Sequence, residues 1–410
     1  MQHWKKLTKS EIKSRIDHAL AKNVDYHERT ILGIPASHLD ENVFNMDPSF
    51  LNNAPFLKAM TDNPNHIGCH TMGESEPFFA GTQQLEKELI GIVAEDILKC
   101  KPEEYDGYVA SGGTEANIQA IWIYRNLFKR KFNASYDEIC ILCSEDSHYS
   151  MPKAGNILNL DVVYVPVTDN TREITPERVS QTIGKARENG KKYFIVIANM
   201  MTTMFGSVDC VESYTKELIS AEVEFRVHVD GAYGGFVYPF SADNDALTFR
   251  NPHISSVTLD AHKMVQAPFG TGIFVARKGL IDNVFTDEAQ YVSGLDATLI
   301  GSRSGANAIG VWMILQTYGP HDWFEKIHIL NYRTNWLCNQ LDDMNIEFYR
   351  HPSSNIVAIR AKHIKPELAH KYGLIPDTHN NKPNWYKIVL MEHVHVDHLM
   401  PFVEELKEKL

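Results

Sequence analysis

Three short strings of this 410-residue chain combine residue types that could do chemistry, and each follows an apolar run typical of a strand. They are SGGTEAN at 111–117, HVDGAYGG at 228–235 and DAHKM at 260–264. In the first string, Gly112 and Gly113 precede a helical pattern, so backbone N–H groups and the positive end of a helix dipole face an anion. This arrangement predicts a phosphate site, although a Gly-Gly turn before a helix is more often only a turn.

The other two strings place an acid and a base at strand ends, where doubly wound sheets bind ligands. Asp230 needs a cationic partner at such a position. Lys263 lies within an otherwise apolar stretch. A lysine there suits Schiff-base chemistry, but a surface lysine whose aliphatic part packs on apolar neighbours is an equally good interpretation. A phosphate cradle, an acid for a pyridinium nitrogen and a lysine for an aldehyde are together what pyridoxal 5'-phosphate requires. The combination therefore predicts this cofactor.

The elements that must position these strings alternate between short apolar runs and helical patterns, as in α/β folds with a mainly parallel sheet. Helices are predicted over 115–130 and after Thr175, an N-cap before a proline at the first helical position. The predicted strands are 107–111, 138–142, 161–165, 193–198, 225–230, 256–260 and 272–276. The predicted units are an N-terminal helical segment over 1–55, a large α/β domain over 56–290 and a smaller C-terminal α+β domain over 291–410.

Composition bounds the partners and the compartment. Lys and Arg number 40 against 52 Asp and Glu, a formal net charge of −12, whereas nucleic-acid binding rests on clustered positive charge. The sequence shows no signal-peptide block and no apolar run long enough for a membrane span, so we expect a cytoplasmic protein that binds neither nucleic acid nor membrane. Six cysteines do not indicate a disulfide framework, and Cys140 and Cys143 lie in a predicted buried strand.

From about Pro64 to the C-terminus the sequence resembles the group II pyridoxal-phosphate-dependent amino-acid decarboxylases, and it looks most similar to the archaeal-type tyrosine and aspartate enzymes. Histidine and glutamate decarboxylases and sphingosine-phosphate lyase are related families. The resemblance rests on the three strings above and on Gly81-Thr82, Leu85-Glu86, SHYS at 147–150, TTMFGS at 202–207 and GSRSGA at 301–306. It implies a fold type I, transferase-like large domain and decarboxylation of a soluble L-amino acid to the amine and CO₂, with aspartate, tyrosine, glutamate or histidine as substrate.

The resemblance also implies roles for individual residues. Lys263 holds the aldimine, Asp230 pairs with the ring nitrogen, and His148 stacks on one ring face. Ser302 contacts the phosphate from the neighbouring subunit, which implies a homodimer with shared active sites. The residues implied to contact the cofactor are Gly113, Thr114, His148, Thr203, Asp230, Ala232, His262, Lys263 and Ser302.

Some positions leave alternatives open. Reprotonation of the substrate needs an acid, for which Tyr291 is the candidate, with Lys263 and His148 as rivals. The family arginine that often binds the substrate carboxylate falls near Lys387, and lysine lacks the bidentate fork of arginine. The glycine usual before the Thr-Thr pair is Met201, which would crowd the site.

Two other functions compete with decarboxylation. A carbon–carbon lyase of the sphingosine-phosphate type shares the three strings, although a soluble amino acid is the favoured substrate. The HxHxDH pattern at 393–398 has ligand types that suit a dinuclear zinc hydrolase, but only 12 residues follow it, too few for the further ligands that such a site needs. An exposed turn between a strand and a helix is the better interpretation of this pattern.

Overall fold

The computed structural model describes residues 4–23, 54–67, 72–286, 289 and 294–408. The strands are β1 Asn65–Ile67, β2 Tyr105–Ala110, β3 Ile139–Ser144, β4 Asp161–Val165, β5 Tyr193–Asn199, β6 Glu224–Gly231, β7 Ile254–Asp260, β8 Gly272–Arg277, β9 Ser302–Ser304, β10 Phe348–Tyr349, β11 Ile356–Arg360, β12 Ile375–Pro376 and β13 Trp385–Val389. The helices are α1 Lys9–Ala21, α2 Pro55–Asp62, α3 Ala80–Gly91, α4 Gly113–Phe132, α5 Ser150–Leu158, α6 Pro176–Glu188, α7 Val211–Ser220, α8 Tyr238–Ser241, α9 Gly305–Asp343, α10 Pro366–Lys371 and α11 Val396–Glu408.

A seven-stranded sheet with the order β2-β8-β7-β6-β5-β3-β4 forms the centre of the fold. The five strands from β7 to β4 are parallel, and β8 runs antiparallel to both of its neighbours. β2, β3 and β7 are buried along their whole length, because helices and loops cover both faces of the sheet. Each of the seven predicted strands corresponds to one strand of this sheet, with ends that differ by a few residues.

The topology brings the chemistry-bearing strings to one edge of the sheet. β2 runs parallel to β7, because β8 is antiparallel to both. The carboxyl ends of β2, β3, β5, β6 and β7 therefore meet, and the segments that follow them contain the three strings. This is where open α/β sheets bind ligands.

A separate four-stranded antiparallel sheet, with the order β10-β11-β13-β12, lies in the C-terminal part of the chain. Its core includes Leu337, Val357 and Phe402, contributed by α9, β11 and α11. α9 is kinked at Gly319, whose φ is 64°, immediately before Pro320, where the missing N–H interrupts the helix. The predicted domain boundaries stay predictions, and residues 24–53 lie outside the described part of the chain.

Two predictions from composition can be compared with these elements. Cys140 and Cys143 lie buried in β3 as unpaired thiols, as expected for a strand rather than a redox pair. Among the described residues, no helix combines the length and the apolar character that a membrane crossing requires.

Candidate active site

A cavity of about 300 Å³ opens at the carboxyl edge of the central sheet. Segments that follow β2, β3, β5, β6 and β7 form its wall, so residues distant in sequence face one space. The lining residues are Ser111, Gly112, Gly113, Thr114, Glu115, Asn117, His148, Tyr149, Asn199, Met201, Thr202, Thr203, Asp230, Ala232, Tyr233, Asp260, His262 and Lys263.

One end of the cavity is the N-terminus of α4. No side chain caps this helix, and Gly112 occupies the N-cap with a φ of 158°. A Cβ atom added to Gly113 would lie 2.8 Å from Asp260 Oδ2 and 3.1 Å from Ala232 Cβ, so only glycine fits between these neighbours. The uncapped first turn leaves backbone N–H groups and a partial positive charge for an anion.

Lys263 and Asp260 form an ion pair with Nζ and Oδ2 separated by 3.2 Å. Asp260 is buried at the end of β7, and burial raises the pKa of its carboxyl, although the charge of Lys263 acts in the opposite direction. His262 Nε2 lies 3.6 Å from the same Oδ2. Within the described part of the chain, Asp260 Oδ1 and His262 Nδ1 are buried and make no hydrogen bond.

Asp230 lies at the end of β6 and is held by two donors. Its Oδ2 accepts a hydrogen bond of 2.9 Å from the Asn117 amide, and its Oδ1 accepts one of 3.1 Å from the backbone N–H of Ala232. Asp230 therefore presents a carboxylate in a fixed orientation at the cavity wall.

His148 lies on a segment that follows β3 and lines the cavity beside Tyr149, with ring centroids 4.0 Å apart. Its Nδ1 is 2.9 Å from Ser150 Oγ and accepts the backbone N–H of Ser150 at 3.2 Å. Burial lowers the pKa of His148, and the charge of Lys263 lowers it further, although Asp230 acts in the opposite direction. An imidazole in this environment is readily kept neutral.

Met201 is a strained residue in the wall. It is buried and has a φ of 70°, in the left-handed region that L-residues avoid at a cost of about 1–2 kcal/mol. Its neighbours hold this conformation, because Met200 N donates to Asp230 O and Thr202 N donates to Ser207 O, both at 2.9 Å. The strain lies at the position where the related family usually has glycine.

The cavity brings together most of the predicted site residues, namely Gly113, Thr114, His148, Thr203, Asp230, Ala232, His262 and Lys263. Lys387 lies outside the lining, but its Nζ donates a hydrogen bond of 2.8 Å to the carbonyl of Thr203. Ser302 is exposed on β9 and does not line the cavity of its own chain. Tyr291 lies outside the described residues.

Asp260, Asn117 and Asn199 also line the cavity, although the sequence predicted no role for them. The first two lie inside the strings DAHKM and SGGTEAN, so their place in those strings was a usable signal. Asn199 has no such signal, because its only distinction in sequence is that it ends an apolar run. The HxHxDH residues His393, His395 and His398 are exposed, and the described residues contain no cluster of three side chains able to hold a metal ion.

Comparison with known proteins decides the family. A family model described as "Pyridoxal-dependent decarboxylase conserved domain" matches residues 24–340. The chain belongs to the pyridoxal-dependent decarboxylase family. It is a pyridoxal-phosphate-dependent amino-acid decarboxylase, with the cofactor that the three strings predicted and the activity that the resemblance implied.

Two curated proteins similar to this decarboxylase differ in their substrates. A tryptophan decarboxylase from Clostridium sporogenes is 49% identical over 408 residues, which cover 100% of this chain and 98% of that protein. A probable L-tyrosine/L-aspartate decarboxylase from Methanocella arvoryzae is 31% identical over 86% of this chain and 92% of that protein. Among solved structures, Oryza sativa TDC with PLP and tryptamine has a TM-score of 0.74 at 14% identity, covering 98% of this chain and 96% of that one. The last comparison supports the fold.

The cavity of this decarboxylase fits pyridoxal phosphate on three counts. The uncapped start of α4 suits a phosphate, and glycine at 113 lets this helix start pack directly against Asp260 and Ala232 in the cavity wall. Asp230 is a fixed acceptor for a protonated ring nitrogen. The amine of Lys263 lies in the same cavity, next to buried polar atoms of Asp260 and His262 that have no partner in the described chain.

Proposed function

We propose that this decarboxylase acts on an aromatic L-amino acid, with tryptophan as the first candidate. The observation that carries the proposal is the 49% identity, over the full chain, to a protein named tryptophan decarboxylase. The substrates expected from the sequence were aspartate, tyrosine, glutamate and histidine, so the proposal adds tryptophan and ranks the acidic substrates lower.

The charges around the cavity favour a substrate with an uncharged side chain. Among the described residues no arginine lines it, and its basic side chains are Lys263, His148 and His262. The first of these is assigned to the cofactor aldehyde and the third to its phosphate. A second carboxylate, as in aspartate or glutamate, would lack the bidentate cation that usually binds one. The rings of Tyr149 and Tyr233 in the lining offer aromatic contact instead.

The residues that line the cavity have different roles toward the cofactor. Bound pyridoxal phosphate supplies an aldehyde that takes up the substrate amine and a pyridinium ring that accepts electrons. Lys263 would hold the cofactor aldehyde before substrate enters, and Asp230 would hold the proton on the ring nitrogen. Gly113, Thr114 and His262 would bind the phosphate. Ala232, His148 and Thr203 would contact the ring.

Lys387 is the candidate group for the substrate α-carboxylate. Its Nζ is fixed near the cavity by the Thr203 carbonyl, and burial lowers its pKa, as does the charge of Lys263. A carboxylate bound between these two cations would relieve their repulsion. When the bond from Cα to this carboxylate breaks, CO₂ leaves and Cα takes up a proton. His148 and Lys263 are the candidate donors in the described cavity, and Tyr291 is a third.

In this proposal a second subunit completes the active site. Ser302 is exposed on its own chain at 302–304, a segment that pairs only with β1 in the described structure. A homodimer in which Ser302 reaches the neighbouring phosphate would complete the cradle. Sedimentation of the holoenzyme should give a dimer, and Ser302→Ala should weaken cofactor binding several-fold. A fully active monomer would contradict this arrangement.

The experiment that tests the substrate is direct. The purified protein is loaded with pyridoxal phosphate, each proteinogenic L-amino acid is added in turn, and CO₂ release is measured, with Lys263→Ala as the blank. We expect the highest kcat/KM for tryptophan, followed by other aromatic amino acids. A higher kcat/KM for aspartate or glutamate would overturn the proposed substrate class while leaving the decarboxylase assignment intact.

A further inference from the structure

Behind Asp230 runs a chain of hydrogen bonds that the roles above do not use. Asn117 joins it to Asp230, because its Nδ2 lies 2.9 Å from Asp230 Oδ2 and its Oδ1 lies 2.9 Å from His228 Nε2. His228 Nδ1 is 2.6 Å from Ser256 Oγ, which also bonds the hydroxyl of Tyr124. Asn117, His228, Ser256 and Tyr124 are at most 1% exposed, so water does not substitute for any of these partners.

The chemistry of the groups orients every proton in this chain. An ionised Asp230 only accepts, so the Asn117 NH₂ faces it and the Asn117 carbonyl oxygen faces His228. His228 Nε2 must then carry a proton, which leaves Nδ1 to accept from Ser256, and Ser256 accepts from Tyr124. All donors thus point toward Asp230. Burial lowers the pKa of His228 to about 4, which agrees with a neutral ring, although Asp230 acts in the opposite direction.

The same amide reaches the other side of the cavity. Asn117 Nδ2 donates a second hydrogen bond, of 3.1 Å, to Ser150 Oγ, and this hydroxyl lies 2.9 Å from His148 Nδ1. Since Nδ1 already accepts the backbone N–H of Ser150, the hydroxyl donates to it as well. One buried amide therefore connects Asp230, assigned to the ring nitrogen, with His148, assigned to the ring face.

We propose that Asn117 is a positioning residue for the decarboxylation, which fixes the orientation of the Asp230 carboxylate and ties it to His148 through Ser150. This inference rests on the proposed roles of Asp230 and His148. The titratable groups that act on these two side chains are His228, Asp209, Asp260, Lys263 and Lys153, and none of them replaces the Asn117 amide as a donor to Asp230 Oδ2.

A double-mutant cycle between Asn117 and Asp230 tests the proposal. Asn117→Ala in the otherwise unchanged enzyme should lower kcat about 10- to 100-fold with KM within about threefold, and should shift the pH midpoint of the visible cofactor absorption by at least half a unit. In an Asp230→Asn background, Asn117→Ala should change kcat by less than about threefold and the pH midpoint by less than about 0.2 unit. The effect is smaller there because Asn117 acts through Asp230, which is already altered.

Two further variants separate positioning from folding. Asn117→Leu keeps the volume of the side chain but removes both the donor to Asp230 and the acceptor for His228, and it should reproduce the effects of Asn117→Ala. Asn355→Ala is the matched control, since Asn355 is equally buried but bonds Tyr233 and the Leu390 carbonyl. It should lower the melting temperature while leaving the absorption titration unchanged.

The outcomes distinguish a wrong role for Asp230 from a wrong role for Asn117. Near-normal turnover by Asp230→Asn alone would overturn the proposed role of Asp230. If Asp230→Asn is slow, the inference on Asn117 is overturned by either of two results. One is an absorption titration of both Asn117 variants that superimposes on wild type, and the other is an effect on kcat of the same size in both backgrounds.

Discussion

Two buried clusters of charged residues in this protein use similar side chains to different ends. In the cavity, Asp260 pairs with Lys263 through Oδ2 only. In the second cluster, on α3, Glu86 accepts from Arg303 Nη1, from His66 Nδ1 at 2.8 Å and from the Val109 backbone N–H at 2.7 Å. His66 on β1 and Arg303 on β9 are paired residues of the small sheet, whereas Val109 lies in β2 of the large sheet. Glu86 therefore links the two sheets.

The difference lies in how completely each carboxylate is satisfied. Burial raises the pKa of Asp260, and one oxygen lacks a partner in the described chain. Burial also acts to raise the pKa of Glu86, but Arg303, His66 and the Val109 N–H outweigh it and lower that pKa to about 2. A buried carboxylate with partners on both oxygens stabilises a fold, whereas one with an open oxygen retains capacity for a ligand. A shifted pKa alone does not tell the carboxylate of a binding site from one that stabilises the fold. The hydrogen bonds that each carboxylate accepts do distinguish them.

The largest expected effect is at Lys263. Lys263→Ala should abolish turnover, by about 10⁴-fold or more, and remove the visible cofactor absorption, because no other amine among the described lining residues can bind the aldehyde. Its melting temperature without cofactor should stay close to that of the wild-type apoprotein. Absorption spectra, CO₂ release and thermal unfolding measure the three quantities. Measurable decarboxylation by this variant would show that Lys263 is not the residue that binds the cofactor, and that this cavity is not the active site.

The converse result is expected in the second cluster. Glu86→Gln removes the buried carboxylate that pairs with Arg303, which should lower the free energy of unfolding by about 3–5 kcal/mol. Turnover per folded molecule should remain within about tenfold of wild type. Urea unfolding and an activity assay at low temperature give both values. A stable variant with lost turnover would show that the cluster serves catalysis directly.

The same cluster predicts a pH dependence of stability. Because the folded-state pKa of Glu86, about 2, is below its ordinary 4.5, its contribution is fully present above pH 4.5 and is lost as the pH falls toward 2. Unfolding free energies of wild type and Glu86→Gln should therefore converge over this window. The comparison is made by urea titration at pH values from 7 downward. Parallel curves would contradict the lowered pKa.

The smallest expected effect concerns the strain at Met201. Glycine tolerates a positive φ whereas alanine does not, so Met201→Gly should be more stable than Met201→Ala by about 1 kcal/mol, the reverse of the order at ordinary positions. Thermal unfolding of the two variants gives the difference. An alanine variant that is the more stable of the two would show that the left-handed backbone at this position carries no strain.

The sequence predicted a large part of the site because its key residues follow strands. Seven strands could be located from apolar runs, and Gly113, Thr114, Asp230 and Lys263 from the strings at their ends. The other four predicted residues of the cavity, His148, Thr203, Ala232 and His262, came from the family resemblance. The role of Asn117 could not be read in the same way, since its partner Asp230 is 113 residues away. Likewise, nothing local to Glu86 indicates Arg303, 217 residues later.

The sequence by itself determined the kind of chemistry, because a glycine turn before a helix, an acid at a strand end and a lysine in an apolar stretch each act through local geometry. Only the tertiary structure decided which buried carboxylates are saturated and which keep an open position. That distinction depends on hydrogen-bond donors that are distant in sequence. Their positions are fixed by the packing of strands and helices and not by residues adjacent to the carboxylate in the chain. Burial sets the cost of each charge, and the fold decides whether a partner offsets it.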